Sequence, residues 1–240
     1  MNLPNQILER TSLKELLDGD LEMLLPNATA SIQSELSKSN FDEFINNTYS
    51  LLDKIIGRIE LHPIHREHDS EDRTTIEIVN AFNYLGERLE HEASYGGNCD
   101  LTSNFQNKYL WLGEAKIDYS NAHIYQGFRQ LCDRYLMASK MSKQGALLIY
   151  CKSKNIAEVI SSWKTYFKRS AQTEYSISIE EEGNGYFITN HFHKPTQQNL
   201  KIKHMAISLF ISASDKSAVK RKPCLHSCPQ CCAEVKPITL

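Results

Sequence analysis

The chain has 240 residues, of which 41% are apolar and 23% charged, and a formal net charge of −2. This is enough for one sizeable core in a soluble globular protein, and it excludes a polyanion partner held by bulk charge, so nucleic-acid contacts would have to come from local basic patches. No apolar run reaches the ~18 residues of a membrane span, and the start lacks the basic and apolar regions of a signal peptide; no membrane contact is expected, and the cytoplasm is the expected location.

Two stretches, "NQILERTSLKELLDGDLEMLL" and "FDEFINNTYSLLDKIIGRIEL", repeat apolar residues at three- and four-residue spacing and predict an N-terminal helical region over 1–70. Pro26-Asn27 and the Ser/Asn cluster at 38–40 separate them. Residues 62–74 are polar. His62, His65 and His68 recur every third residue, a spacing that admits a metal site, but the lack of periodicity favours a solvated linker. A helix is predicted from Thr75 to about Ala93, with Ile78, Phe82, Leu85 and Leu89 as its stripe. Glu90 falls at the rim of that stripe, and Glu87 lies further toward solvent.

Gly96 and Gly97 mark a turn, followed by a short strand over Cys99–Ser103 and a buried one in "YLWLGEAKID", Tyr109–Asp118. Residues 120–139 read as an amphipathic helix capped by Ser120 or Asn121. "GALLIYCKS" reads as a strand covered on both faces, and "NIAEVISSWKTYFKR" as a helix capped by Asn155. The period then switches to two. "YSISIEEE", "GYFITNHFH" and "LKIKHMAISLFIS" predict a C-terminal β-meander, its first turn at Gly183-Asn184-Gly185. His191, His193 and His204 read as hairpin polars. Residues 213–240 form a basic, cysteine-rich tail.

Cys99, Cys132 and Cys151 sit in apolar segments and read as small core residues of a reducing compartment. Cys224, Cys228, Cys231 and Cys232 crowd the tail, with His226 among them. They supply enough ligands for zinc, yet lack the spacer that normally folds over the metal. A zinc site, shared with another chain, and a polar tail with incidental cysteines both stay open.

Glu114 and Lys116 stand two apart in a strand, so they share a face while Ala115 turns the other way. That spacing fits a structural ion pair and a reactive one equally well. Asp100 precedes Glu114 by fourteen positions, a length suited to two antiparallel strands and their turn. Paired, the strands would bring both carboxylates to one rim of the sheet. Carboxylates within reach of each other favour a shared proton or a bound divalent cation. Mg²⁺ suits such a site, because it takes one or two carboxylates, waters and substrate phosphate. Lys116 beside them would hold or activate a water, or steady charge on the phosphate.

With these residues in place, "NCDLTS…WLGEAKID" resembles the PD-(D/E)XK nuclease superfamily of restriction enzymes and RecB-like nucleases. Its two-part motif is an acid on one strand and (D/E)-x-K on the next. Asp100, Glu114 and Lys116 match it, while Cys99 stands where the family has proline. The likeness covers roughly residues 75–170. It implies an α/β, restriction-endonuclease-like core with a mixed central sheet flanked by helices, within a domain spanning 71–212. It further implies Asp100 and Glu114 as Mg²⁺ ligands, with Mn²⁺ as a substitute, and Lys116 as the catalytic lysine. A further acid on the preceding helix would be Glu90, with Glu87 as its rival. A glutamine on the following helix would be Gln126 or Gln130, either of which reads equally as a surface polar. For the tail cysteines the family adds an iron–sulfur cluster as a third possibility.

The resemblance implies a Mg²⁺-dependent nuclease acting on DNA rather than RNA. It implies a partner protein or a homo-oligomer, as in bacterial restriction and anti-phage systems. The alternative is a catalytically silent nuclease-fold module that binds a partner protein or nucleic acid. Lys201, Lys203, Lys220, Arg221, Lys222 and "KTYFKR" at 164–169 are the expected basic patches.

Overall fold

In the computed structural model, residues 40–66, 68–94, 96–136 and 141–211 are described. The apolar repeat before residue 40, the basic residues Lys220, Arg221 and Lys222, and the cysteines of the tail lie outside them. Helix α1 (Phe41–Glu60) starts where Asn40 accepts a hydrogen bond from the Glu43 N–H at 3.0 Å. Asp42 and Glu43 in its first turn and Arg58 in its last complement the helix dipole. A 3₁₀ turn (Pro63–Arg66) leads to α2 (Glu71–Tyr84), capped by the Ser70 hydroxyl on the Arg73 N–H.

Helix α2 begins and ends earlier than its apolar spacing predicts. Gly86, at φ 85°, lies just past its end, and both polar atoms of the Asn83 amide bond the backbone of Leu89 at 2.9 Å. That brace folds the chain back, so Leu89 is buried from an extended segment while Leu85 faces solvent. Glu87 and Glu90 are therefore not helical.

Six strands form one mixed sheet: β3 (Leu101–Phe105), β4 (Tyr109–Ile117), β5 (Gln144–Cys151), β6 (Ser178–Gly183), β7 (Tyr186–His193) and β8 (Gln198–Ser208). Their spatial order is β3-β4-β5-β8-β7-β6. The central β4, β5 and β8 run parallel, and the flanking strands pair antiparallel. A small ribbon of β1 (Ala93–Ser94) and β2 (Asn98–Cys99) precedes β3. A parallel pair needs a crossover, and β4 reaches β5 through α3 (Asn121–Gln130), which runs on into a π-helical turn (Leu131–Tyr135). Ser120 is the α3 cap, accepting from the His123 N–H at 3.2 Å. After β5 comes α4 (Ile156–Tyr175), capped by Asn155 as its sequence predicts.

Alternate strand residues divide the core into two layers. Trp111, Ala115, Tyr150 and Ile207 pack with Phe44, Leu52 and Ile59 of α1 and Ile78 of α2. Leu112, Ile149 and Ile202 pack on the other face with Phe128 of α3 and Trp163 and Phe167 of α4. The α/β reading with a mixed sheet flanked by helices holds. Helix α1 shares its core with the sheet. Strand β8 of the meander enters the central sheet beside β5.

His191 and His204 belong to the second layer and are buried, unlike hairpin polars. Trp163 Nε1–H donates to His204 Nδ1 at 3.2 Å, and His204 Nε2 meets the Thr189 hydroxyl at 2.9 Å. Cys132 Sγ lies 3.4 Å from His191 Nε2. Loss of water pushes His191 down to about 4, and its neighbour His193 adds to the effect. An unfolded histidine takes its proton near 6.5. Stability is therefore expected to fall as pH drops from about 6.5 to about 4, with His191 alone responsible for roughly 3 kcal/mol. Urea midpoints for the wild type and His191→Phe should converge in their pH dependence only if His191 contributes nothing; a shallower slope in the variant is the expected result.

Candidate active site

Strand β3 begins only at Leu101, which pairs with Gly113, while the antiparallel β4 runs on past it to Ile117. Past that point the N–H groups on the vacated side of β4 need other acceptors. Two carboxylates supply them. Asp100 Oδ2 accepts from the Ala115 N–H at 2.9 Å, and Glu71 Oε2 accepts from the Ile117 N–H at 2.9 Å. Asp100 sits in the break between β2 and β3, and Glu71 is the first residue of α2. The sheet edge itself thus fixes both acids.

Glu114 and Lys116 project from β4 on the face covered by α3. The Lys116 ammonium lies 2.8 Å from Glu114 Oε1, 3.0 Å from Glu71 Oε1 and 3.8 Å from Asp100 Oδ2. It also donates to the Ala115 carbonyl at 2.7 Å. Three carboxylates thus face one ammonium. Burial penalises the ionised Glu114, which is only 2% exposed, and repulsion from Asp100 adds to this, pushing the carboxyl up to about 8 against the pull of Lys116. Burial raises Asp100 as well. For Lys116, burial works against the charge, but the surrounding carboxylates outweigh it and hold the amine protonated. Glu114 Oε2 is buried without a hydrogen-bond partner.

Helix α3 crosses directly over this pair, and Gly127 makes that possible. A Cβ there would lie 2.6 Å from Lys116 Cγ and 3.3 Å from Glu114 Cγ. Gly57, in the last turn of α1, has nothing within 4 Å of the same position. Gly→Ala in a helix interior normally stabilises by about 1 kcal/mol. Gly57→Ala should do so, whereas Gly127→Ala should destabilise by about 1–3 kcal/mol through overpacking. Urea denaturation of the two variants measures the contrast, and equal shifts would show that α3 has room over the pair.

Beside the cluster, a cleft of about 620 Å³ is lined by Lys116, His123, Gln126, Arg129, Gln130 and Arg134, with Asp133. Both candidate glutamines thus reach the same cleft as the lysine. His123 Nε2 lies 3.8 Å from Glu71 Oε2, which links the cleft to the acids.

The structure brings Asp100, Glu114 and Lys116 together. It does not bring Glu90 to them. Glu90 makes a backbone bridge to Thr102, and its carboxylate meets Arg88 at 2.6 Å. Glu87 lies past the end of α2, its N–H on the Phe82 carbonyl. The acid from the helix is Glu71, whose charge bears on both Asp100 and Glu114. Its only sequence signal is the Ser70-Glu71-Asp72 helix start, since acidic residues are common in any first turn. Among the described residues, no group of three or more His, Cys, Asp or Glu is arranged to hold a metal ion. The basic patches are also largely engaged. Lys201 pairs with Glu180 at 2.8 Å, Lys203 with Asp53 at 3.4 Å and Lys164 with Glu182 at 2.8 Å.

No helix among the described residues is long and apolar enough to cross a membrane. Comparison of the chain with family models, with curated proteins and with solved structures gave no match.

Proposed function

We propose that this chain is a Mg²⁺-dependent nuclease that hydrolyses phosphodiester bonds with Asp100, Glu114 and Lys116 on a restriction-endonuclease-like core. The observation that carries the reading is the buried, unpartnered oxygen of Glu114 beside Asp100 and a protonated lysine. An orphaned buried carboxylate oxygen costs stability, and a site that retains one has a use for it. The donors are all hard oxygens and carry excess negative charge, which fits Mg²⁺ or Mn²⁺. Asp100 and Glu114 would hold the ion, and the acid beside them is Glu71 rather than Glu90. When bound, such an ion supplies Lewis-acid charge and acidifies a water.

The remaining work belongs to the chain. Lys116 is buried, and its ammonium is preorganised to face charge that builds on a phosphate entering from the cleft. Asp100 and Glu71 are fixed by backbone N–H groups and keep their positions when that charge appears. To hold an ion Glu114 would have to give up its proton, so metal affinity would rise with pH. DNA rather than RNA is the proposed substrate, and a partner protein or a second copy would restrain the activity, as in an anti-phage effector.

A second reading has its own support. The Lys116 ammonium is satisfied by its neighbours, as a structural ion cluster in a silent, partner-binding module would be. Incubation of DNA and RNA with the wild type and Glu114→Gln, with and without Mg²⁺, separates the two. Metal-dependent cleavage by the wild type alone is expected. Cleavage by neither protein would leave the silent module.

A further inference from the structure

Tyr119 follows β4 by two residues and is 75% exposed, among the most exposed large side chains described. Its ring lies 5.5 Å from that of His123, tilted by 51°. His123 lines the cleft with Lys116 and lies beside Glu71. An aromatic face therefore stands open to solvent within one residue's reach of the reacting groups, and no core packing accounts for it.

The charges along the cleft limit what can bind there. Lys116 is answered by three carboxylates, and Arg129 by Asp133 at 3.4 Å. Among the described residues of the cleft, Arg134 at the far end is left as the cation available to phosphate. Gripping a duplex takes many cations set against two backbones. Stacking on an aromatic ring needs few charges but requires a base whose face is free, and a base inside a duplex already has neighbours on both faces. His123, Gln126 and Gln130 follow one face of α3 from the Tyr119 end toward Arg134. This track of long polar side chains spans roughly 16 Å from His123 to Arg134 at the helical rise.

We propose that the site takes an unpaired nucleic-acid strand, with one base stacked on the open face of Tyr119 beside His123 and the adjoining backbone lying along α3 toward Arg134. The proposal rests on the reading of the cleft as the approach to a phosphodiester-cleaving centre and adds its substrate class. DNA and RNA share the chemistry invoked, and binding separates them.

Fluorescence anisotropy in EDTA, where no metal-dependent turnover occurs, tests it with labelled unpaired DNA, unpaired RNA and a fully paired hairpin. An unpaired strand should bind more tightly than the hairpin. Tyr119→Ala should weaken that binding about 10-fold, within the range measured for one stacked base, and Tyr119→Phe should stay within about 2-fold of the wild type by keeping the ring. The exposed ring supports no core, so the alanine variant is expected to fold. No binding of unpaired strands, preference for the hairpin, or unchanged affinity in Tyr119→Ala would overturn the proposal. Ring-dependent binding without cleavage would remove hydrolysis yet leave the platform standing, and cleavage without ring dependence would do the reverse.

Discussion

Glu114→Gln is expected to make the metal-free protein more stable above pH 8 while lowering Mg²⁺-dependent cleavage by about 10²–10³-fold or more. The two effects share one cause. An unfolded glutamate ionises near pH 4.3, whereas the folded Glu114 holds its proton up to about 8. Between those values the folded chain binds more protons than the unfolded chain, so Glu114 erodes stability as pH rises through the window. The erosion is complete above pH 8, at roughly 3–5 kcal/mol. Glutamine keeps the shape and removes the charge. Its advantage should be small near pH 4.5 and largest near pH 9, as read from urea midpoints across that range. The same substitution removes a metal donor, so added Mg²⁺ should raise the melting temperature of the wild type more at pH 9 than at pH 6, and that of the variant little at either. A variant that is less stable than the wild type at pH 9 would mean that the carboxylate is stabilised by its lysine and is not held there under strain.

The core of this site is legible in the sequence because strand geometry has a fixed period. Glu114 and Lys116 must share a face of β4, and fourteen residues back along an antiparallel neighbour brings Asp100 alongside Glu114. The observed pairing of Leu101 with Gly113 is that register. Glu71 is hidden because its role depends on where β3 begins. A first-turn glutamate has an ordinary local explanation, and only the vacated N–H of Ile117 gives it another. Glu90 misleads for the converse reason. Leu85 and Leu89 continue the helical spacing beyond Tyr84, while the brace from Asn83 to Leu89 that ends the helix is a side-chain contact outside any periodic pattern. The place of β8 is likewise invisible in the chain order. Alternation marks it as a strand, but its insertion between β5 and β7 depends on α4 carrying the chain across the sheet before the meander turns back. The π-helical turn after Gln130 also escapes, since the apolar spacing runs through it unbroken.

Lys116→Met should have the opposite effect on stability from Glu114→Gln, and a loss of cleavage at least as large. Methionine fills the space of the lysine stem but leaves Asp100, Glu114 and Glu71 facing one another without a counter-charge. Removing one partner of a buried ion pair typically destabilises by about 3–5 kcal/mol, and here three acids lose the same partner. The acids can escape only by taking up protons, so the loss should be greatest near pH 9 and shrink toward pH 5. Mg²⁺ should restore part of it, because a divalent ion neutralises the charge the ammonium held. In the double variant with Glu114→Gln, the destabilisation by Lys116→Met should shrink by about 1–3 kcal/mol, the range for residues in direct contact. A cycle of the four proteins at pH 9 measures that coupling free of any assumption about activity. Strict additivity would show that the lysine does not hold the acids together. A large coupling with no cleavage in the wild type would identify the cluster as a structural keystone of the sheet edge and end the case for hydrolysis.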